Sequence, residues 1–314
     1  MKRIYSFLWC LPLLLFQADS NSETYQIGGM YTQHYRDGTY AEWGKYSRIG
    51  AKLAIEYINK SDLIWPDTIE MLPENIIDYN CSNDNVALMV KSLMEKDIIA
   101  ITGAECSNPA VVMANSGSQF KVPVVSYGAN AAELSSSLAY PWFIRVVSPS
   151  ESYEKYLIDL AAFFNIRKIA FIHTTDAWGS GASRVIDEAA KKFDIEVIKK
   201  FSFSRDSNQI EIDKILNIIK ENNIKHIFIT APTPDTVKFF RSINKFDLNK
   251  KGYSFYASEL ILRDTPNDAI SGAEGYFAPI ASLPLSPELN EYIKNYESYT
   301  GDTADLNSGN FIYS

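Results

Sequence analysis

The sequence has no apolar run of the roughly 18 residues that a membrane-spanning helix needs. It is also short of basic residues: Lys and Arg total 30 against 38 Asp and Glu, a net charge of −8 over 314 residues. An acidic chain without a basic cluster matches the phosphate backbone poorly, so no nucleic-acid partner is expected. Catalytic signatures are missing too. No GxSxG, Walker or GxGxxG pattern follows a strand-like run, and the Gly28-Gly29 pair lacks the third glycine of a dinucleotide loop. His34, His173 and His226 are not spaced as metal ligands, and His173, at a strand end, reads as a structural residue. The expectation is a protein without catalysis, metal or cofactor. Global disorder is excluded by a composition that is 46% hydrophobic and 22% charged.

The first twenty residues read as an export signal. Lys2 and Arg3 form a basic start, Ile4–Phe16 is apolar, and Ala18-Asp19-Ser20 places small residues at a cleavage site. A buried N-terminal helix fits less well, because the run is apolar on every face. Cys10 lies within the apolar run after Leu8-Trp9, not at the end of the small-residue segment a lipid-anchored protein would show. The expected location is the periplasm or the extracellular space. Cys81 and Cys106 would then remain, either paired in an oxidising compartment or as two separate buried thiols. The triplets Asn59–Ser61 and Asn80–Ser82 match the glycosylation acceptor pattern, which has meaning in a eukaryotic source.

After the signal, short apolar runs alternate with segments of helical period. Strands are expected at Tyr25–Thr32, Ile98–Thr102, Val122–Ser126, Phe143–Val147, Lys168–His173, Ile195–Phe203, His226–Thr230 and Tyr253–Ala257, with Glu70–Tyr79 extended. Helices are expected at Tyr46–Asn59, Asp84–Glu95, Pro109–Phe120, Glu151–Asn165, Trp178–Phe193, Gln209–Asn222 and Asp235–Asn244. In Asp84–Glu95, for example, Val86, Met89, Val90 and Leu93 recur at i, i+3, i+4 and i+7. This alternation is the βαβ signature of an α/β fold with parallel sheets covered on both faces. In such sheets ligands sit beyond the carboxyl ends of the strands. The loops to read are therefore Gly103–Ala110, Tyr127–Leu134, Thr174–Gly181 and Ser258–Asp264. They are rich in small and hydroxyl residues, whose backbone N–H groups at helix N-termini suit an anion such as a carboxylate.

Four ordered segments carry a more specific likeness: Thr39–Asn59, Asp78–Ser107, Val122–Leu134 and Phe143–Gly181. Together they resemble the type I periplasmic-binding-protein family, most of all substrate-binding proteins for branched-chain and related amino acids. The same fold forms the extracellular domains of metabotropic glutamate and natriuretic-peptide receptors. The likeness covers about residues 25–312. It implies two Rossmann-like lobes with parallel sheets that close on a ligand. Lobe one would hold residues 24–147 and 280–314, and lobe two residues 148–279. The family's disulfide falls on Cys81 and Cys106.

The resemblance also implies a set of site residues. Ser107 matches a hydroxyl that binds the amino-acid carboxylate. Gly128 and Asn130, with Ala129 between them, match the small residue and the Thr that bind ligand. Trp178 matches an aromatic at the second-lobe edge, and Glu259 the acid that receives the α-ammonium. Trp43 matches an aromatic that closes over the ligand. The residues alone leave other readings open: an N-cap for Ser107, a turn residue for Asn130, core packing for Trp178 and a surface acid for Glu259. The chain also departs from the pattern, with Asn for Thr at 130, Trp for Tyr at 178, and Glu105 in a loop meant to face an anion. It stops at Phe311–Ser314, where the family continues, so a third crossover and the end of the sheet are expected to be missing. The implied function is capture of a small amino-acid-like ligand for an ABC transporter permease. The alternative is the ectodomain of a receptor, with a receptor membrane domain as its partner.

Overall fold

The structure, a computed structural model, describes residues 22–35, 38–257, 266–278 and 285–304. The signal segment 1–20 and Glu259 lie outside the described residues. Six strands form the first sheet: β1 (Thr24–Tyr31), β2 (Thr68–Glu70), β3 (Ile76–Asp78), β4 (Ala100–Gly103), β5 (Val124–Ser126) and β6 (Phe143–Arg145). Their order is β2-β1-β4-β5-β6, with β3 also paired to β1, and every pairing is parallel. The stretch expected to run extended from Glu70 to Tyr79 is broken in two. Pro73, which cannot donate to a ladder, starts a 3-10 turn, Pro73–Asn75, between β2 and β3.

The second sheet contains β7 (Lys168–Thr174), β8 (Glu196–Phe203), β9 (His226–Thr230), β10 (Ser254–Ala257) and β11 (Tyr276–Phe277). Their order is β11-β10-β9-β7-β8, again all parallel. Strand β7 therefore lies in a different sheet from β5, and the molecule has two lobes of the same α/β kind.

Alternation along these strands decides which helices cover which face, because neighbouring side chains point to opposite sides. In β7, Ile169 and Phe171 join Leu157, Ile158 and Ala161 of α4 (Ser150–Phe163) and Ala182 and Ile186 of α5 (Ala177–Lys192). Ala170 and Ile172 face the other way, onto Ile212 and Leu216 of α6 (Gln209–Glu221) and Phe239, Phe240 and Ile243 of α7 (Thr233–Lys245). Each buried Ile or Phe contributes about 1.5–3 kcal/mol relative to exposure. Helix α6 starts at a capping box, Asn208 accepting from the Ile210 and Glu211 amides and Glu211 reaching back to the Asn208 amide.

The first lobe's core joins Met30, Ile101 and Val124 to Val86, Val90 and Leu93 of α2 (Val86–Met94) and to Ala110, Met113 and Ala114 of α3 (Ser107–Phe120). Gly28 in β1 is closely packed there. A Cβ on it would lie 2.8 Å from Ile98 Cδ1 and 3.0 Å from Leu93 Cδ1, so this glycine lets the strand pack closely on α2 and the segment after it. Helix α1 (Glu42–Lys60) lies against β1, β2 and β4. After a short helix α8 (Asn267–Ile270), helix α9 (Pro287–Thr300) returns to α1, placing Tyr296 against Leu53. Among the described residues no helix is long and apolar enough to cross a membrane.

Candidate functional site

The loops after β4 and β5 of the first lobe form a wall, and the start of α5, after β7 of the second lobe, meets it. Strand β4 runs through Gly103 into Glu105 and Cys106, and Cys106 is joined to Cys81 with the Cα atoms 5.6 Å apart. The Cys106 amide donates to the Tyr79 hydroxyl at 3.1 Å. Ser107 follows as the first residue of α3. The N-cap position belongs to Cys106, so Ser107 does not cap the helix. Instead its Oγ accepts the Ala131 amide at 3.1 Å, tying the start of α3 to the loop after β5.

That loop is folded back by Ser126, whose hydroxyl donates to the Ala104 carbonyl at 2.8 Å and accepts the Ala129 amide at 2.9 Å. Ala129 is fully buried in the first lobe's core. Gly128 is set by space: a Cβ would come 2.8 Å from Glu105 Cβ and 3.0 Å from its Cα. The Asn130 carbonyl accepts the Ser150 amide at 2.7 Å, linking this loop to the first turn of α4.

Glu105 lies buried behind the wall. One carboxylate oxygen accepts the Thr32 amide at 2.7 Å and the other the Tyr127 hydroxyl at 2.6 Å, so it clamps the ends of β1 and β5 to β4. Burial raises its carboxyl above the usual carboxylate range, and the hydrogen bonds from Thr32 and Tyr127 pull the other way. Burial also pushes up the surrounding Tyr31, Tyr79 and Tyr127 hydroxyls, keeping them neutral donors. A raised acid pKa gives stability that is full below the unfolded value and is lost as pH rises through the folded one. Glu105→Gln keeps an acceptor for the Thr32 amide and removes the charge. Its stability relative to the parent should be flat below about pH 4, the unfolded carboxylate range, and rise above it. Each tenfold change in proton affinity is worth about 1.4 kcal/mol. Paired urea melts between pH 3.5 and 8 read this difference; a difference independent of pH would show that burial does not raise the Glu105 carboxyl.

The second lobe meets this wall through α5. Asp176 caps the helix, accepting the Gly179 amide at 2.9 Å, and the Ala177 amide donates across the cleft to Asn108 Oδ1 at 2.8 Å. The first turns of α3 and α5 thus meet, with the Asp176 carboxylate offsetting the positive end of α5. Trp178 is 8% exposed, and its buried Nε1 has no hydrogen-bond partner. Trp43, in the first turn of α1, also keeps a buried, unpartnered Nε1, and its ring stacks on Tyr35 with centroids 6.5 Å apart. Buried donors left unpaired cost about 1–3 kcal/mol each, a cost that an acceptor brought into the site removes.

The structure therefore brings Ser107, Gly128, Ala129 and Asn130 together around one turn and sets the α5 terminus bearing Trp178 against them. Trp43 belongs to the same lobe as that turn, packed on its core. Asn108, Ser150 and Arg205 are further cleft residues that periodicity does not single out. The first has a signal, since it directly follows the hydroxyl at a helix start. Each histidine has a hydrogen-bond partner: Asp78 for His34, the Thr174 carbonyl for His173 and Ser254 for His226. Among the described residues no group of His, Cys, Asp or Glu is arranged to hold a metal.

Known proteins share this architecture. A solute-binding protein of an ABC transporter from R. palustris, solved in complex with 4-hydroxybenzoate, superposes with a TM-score of 0.76 at 16% identity, over 92% of this chain and 77% of that one. A second, from Rhodopseudomonas palustris BisB5 and in complex with 3,4-dihydroxy benzoic acid, gives 0.72 at 16% identity, over 92% and 78%. At that identity the likeness shows the fold alone. In sequence, glutamate receptor 3.1 of Oryza sativa subsp. japonica is 23% identical over 216 residues, 69% of this chain and 23% of the relative. Metabotropic glutamate receptor 4 of Rattus norvegicus is 24% identical over 264 residues, 73% of this chain and 28% of the relative. The chain spans about a quarter of the length of these curated relatives. The receptor family ligand binding region matches residues 47–314, well over half of the sequence, and the chain belongs to that family.

Proposed function

We propose that this ligand-binding chain closes its lobes on a small, amino-acid-like carboxylate and catalyses no reaction. The supporting observation is the buried Trp178 Nε1, a donor without a partner, in the first turn of α5, which meets the first turn of α3. A carboxylate between the two termini would meet backbone N–H groups, the Ser107 hydroxyl and the indole N–H, and charge-assisted bonds of this kind are the stronger ones. Asn130 would supply a further donor, Gly128 and Ala129 would shape the turn that carries it, and Trp43 would close over the ligand. Glu259 would take the ammonium of an amino acid. The carboxylate is also the group that amino acids share with the hydroxybenzoates held by the two R. palustris proteins.

In this reading the chain exchanges lobes near residues 148 and 279, is exported through residues 1–20, and hands its ligand to an ABC transporter permease outside the cytoplasm. A second reading, the ligand-binding ectodomain of a membrane receptor, is favoured by the curated relatives, which are receptors.

A thermal-shift screen tests the ligand class. Glutamate, leucine and 4-hydroxybenzoate would be run beside their primary amides. At 100 times its Kd a ligand stabilises the folded state by about 2.7 kcal/mol. At least one carboxylate should raise Tm while its amide does not. Equal shifts from acid and amide, or shifts from amides alone, would remove the carboxylate from the proposal.

A further inference from the structure

Besides the Ser150–Asn130 backbone bond at the start of α4, two hydrogen bonds involving side chains join the lobes among the described residues, and both lie close to the proposed ligand contacts. On one side Asn108 Oδ1, in the first turn of α3, accepts the Ala177 amide of α5 at 2.8 Å. Asn108 follows Ser107 in sequence, and Ala177 precedes Trp178. On the other side a guanidinium nitrogen of Arg205, in the loop after β8, lies 3.4 Å from Cys81 Sγ. The disulfide partner of Cys81, Cys106, directly precedes Ser107. Between the two, Gly181 of α5 passes Ala132 so closely that a Cβ on it would stand 3.5 Å from the Ala132 Cβ.

Each contact is prepared within a single lobe. Arg205 is held by second-lobe groups: its Nε lies 3.6 Å from the buried Asp235, and its carbonyl accepts Lys238 Nζ at 3.1 Å. Lys238 also pairs with Asp235 at 2.8 Å and donates to the Ser207 carbonyl at 3.0 Å. Burial raises the Asp235 carboxyl on balance, against the pull of Lys238 and Arg205. On the first lobe, the backbone next to Asn108 is fixed by the α3 helix and by the Ser107–Ala131 bond. Groups that are already ordered lose little freedom when the lobes meet.

We infer that Asn108 and Arg205 are positioning residues forming a ligand-independent latch, one that holds the unliganded protein mostly closed and so sets the affinity of the site. The inference rests on the two-lobe closure proposed above and adds what regulates it. Apparent Kd equals the intrinsic Kd divided by the binding-competent fraction, so loosening the latch weakens every ligand by the same factor. Losing one ordinary hydrogen bond shifts such an equilibrium about two- to tenfold.

Small-angle X-ray scattering on the ligand-free chain tests this without any ligand, so its outcome is independent of the carboxylate screen. The parent should scatter as the compact two-lobe form, and Asn108→Ala combined with Arg205→Ala should give a larger radius of gyration. Asn108→Asp keeps an acceptor for the Ala177 amide and should scatter like the parent, which separates loss of the latch from misfolding. An already open parent, or a double variant with the parent's profile, would overturn the latch.

Discussion

Replacing Cys81 and Cys106 together by serine should destabilise the protein by about 3.5 kcal/mol, the chain-entropy value for the 25-residue separation that the bridge closes. The expected fall in Tm is roughly 10 °C for a lobe of this size. The bridge has a second consequence, because it fixes the residue before Ser107. Cys106 is held by the disulfide on its side chain and by the Tyr79 hydroxyl on its amide, so the first turn of α3 starts from a rigid point. Without the bridge, the Ser107–Ala131 bond and the donors at the α3 terminus lose that reference. Weaker ligand binding should therefore accompany the lower Tm. Thermal denaturation of the parent with and without reductant, beside the double serine variant, reads the effect. Reduced parent and variant should melt together, well below the oxidised parent. Equal melting of all three would mean that the bridge contributes nothing to the fold.

The parts of the fold legible in the sequence are those where burial on both faces forces a short apolar run. Strand β9 has the expected ends, His226–Thr230, and β7, Lys168–Thr174, differs by one residue. Ends set by polar groups were harder to read. Pro109 looks like a helix start, yet α3 begins two residues earlier, because proline is tolerated throughout a first turn whose amides need no intrahelical partner. Helix α9 was not expected at all. Its apolar face, Leu289, Tyr292, Ile293 and Tyr296, has helical spacing and follows a Ser286 cap and Pro287, but much of that face is tyrosine in a polar, charged segment.

At the site, the loops that hold Ser107, Gly128 and Asn130 could be placed because the carboxyl end of a parallel strand is fixed by topology, whereas the residues themselves are singled out only by the resemblance to the family. What Asn108 and Arg205 touch could not. Arg205 and Cys81 stand 124 residues apart, and their meeting depends on how two separately folded lobes approach. The space that demands Gly128 likewise exists only once Glu105 is folded beneath it.

The largest effect expected on binding comes from one atom. Trp178→Phe keeps the buried aromatic ring that closes the α5 turn and deletes the indole N–H. A carboxylate in the cleft would lose a hydrogen bond to a charged group, worth about 1.5–3 kcal/mol, or roughly 10- to 150-fold in Kd. Nε1 has no protein partner to lose, but Phe is smaller than the buried Trp, so the Tm without ligand should fall modestly. The fold of the variant is checked by its Tm without ligand. The deciding measurement is calorimetric titration of the parent and Trp178→Phe with the carboxylate found by the thermal-shift screen. Closure on a carboxylate between the α3 and α5 termini predicts one site per chain in both proteins and at least tenfold weaker binding in the variant. Identical affinity in the two proteins, with the variant folded at the titration temperature, would place the ligand somewhere other than this site.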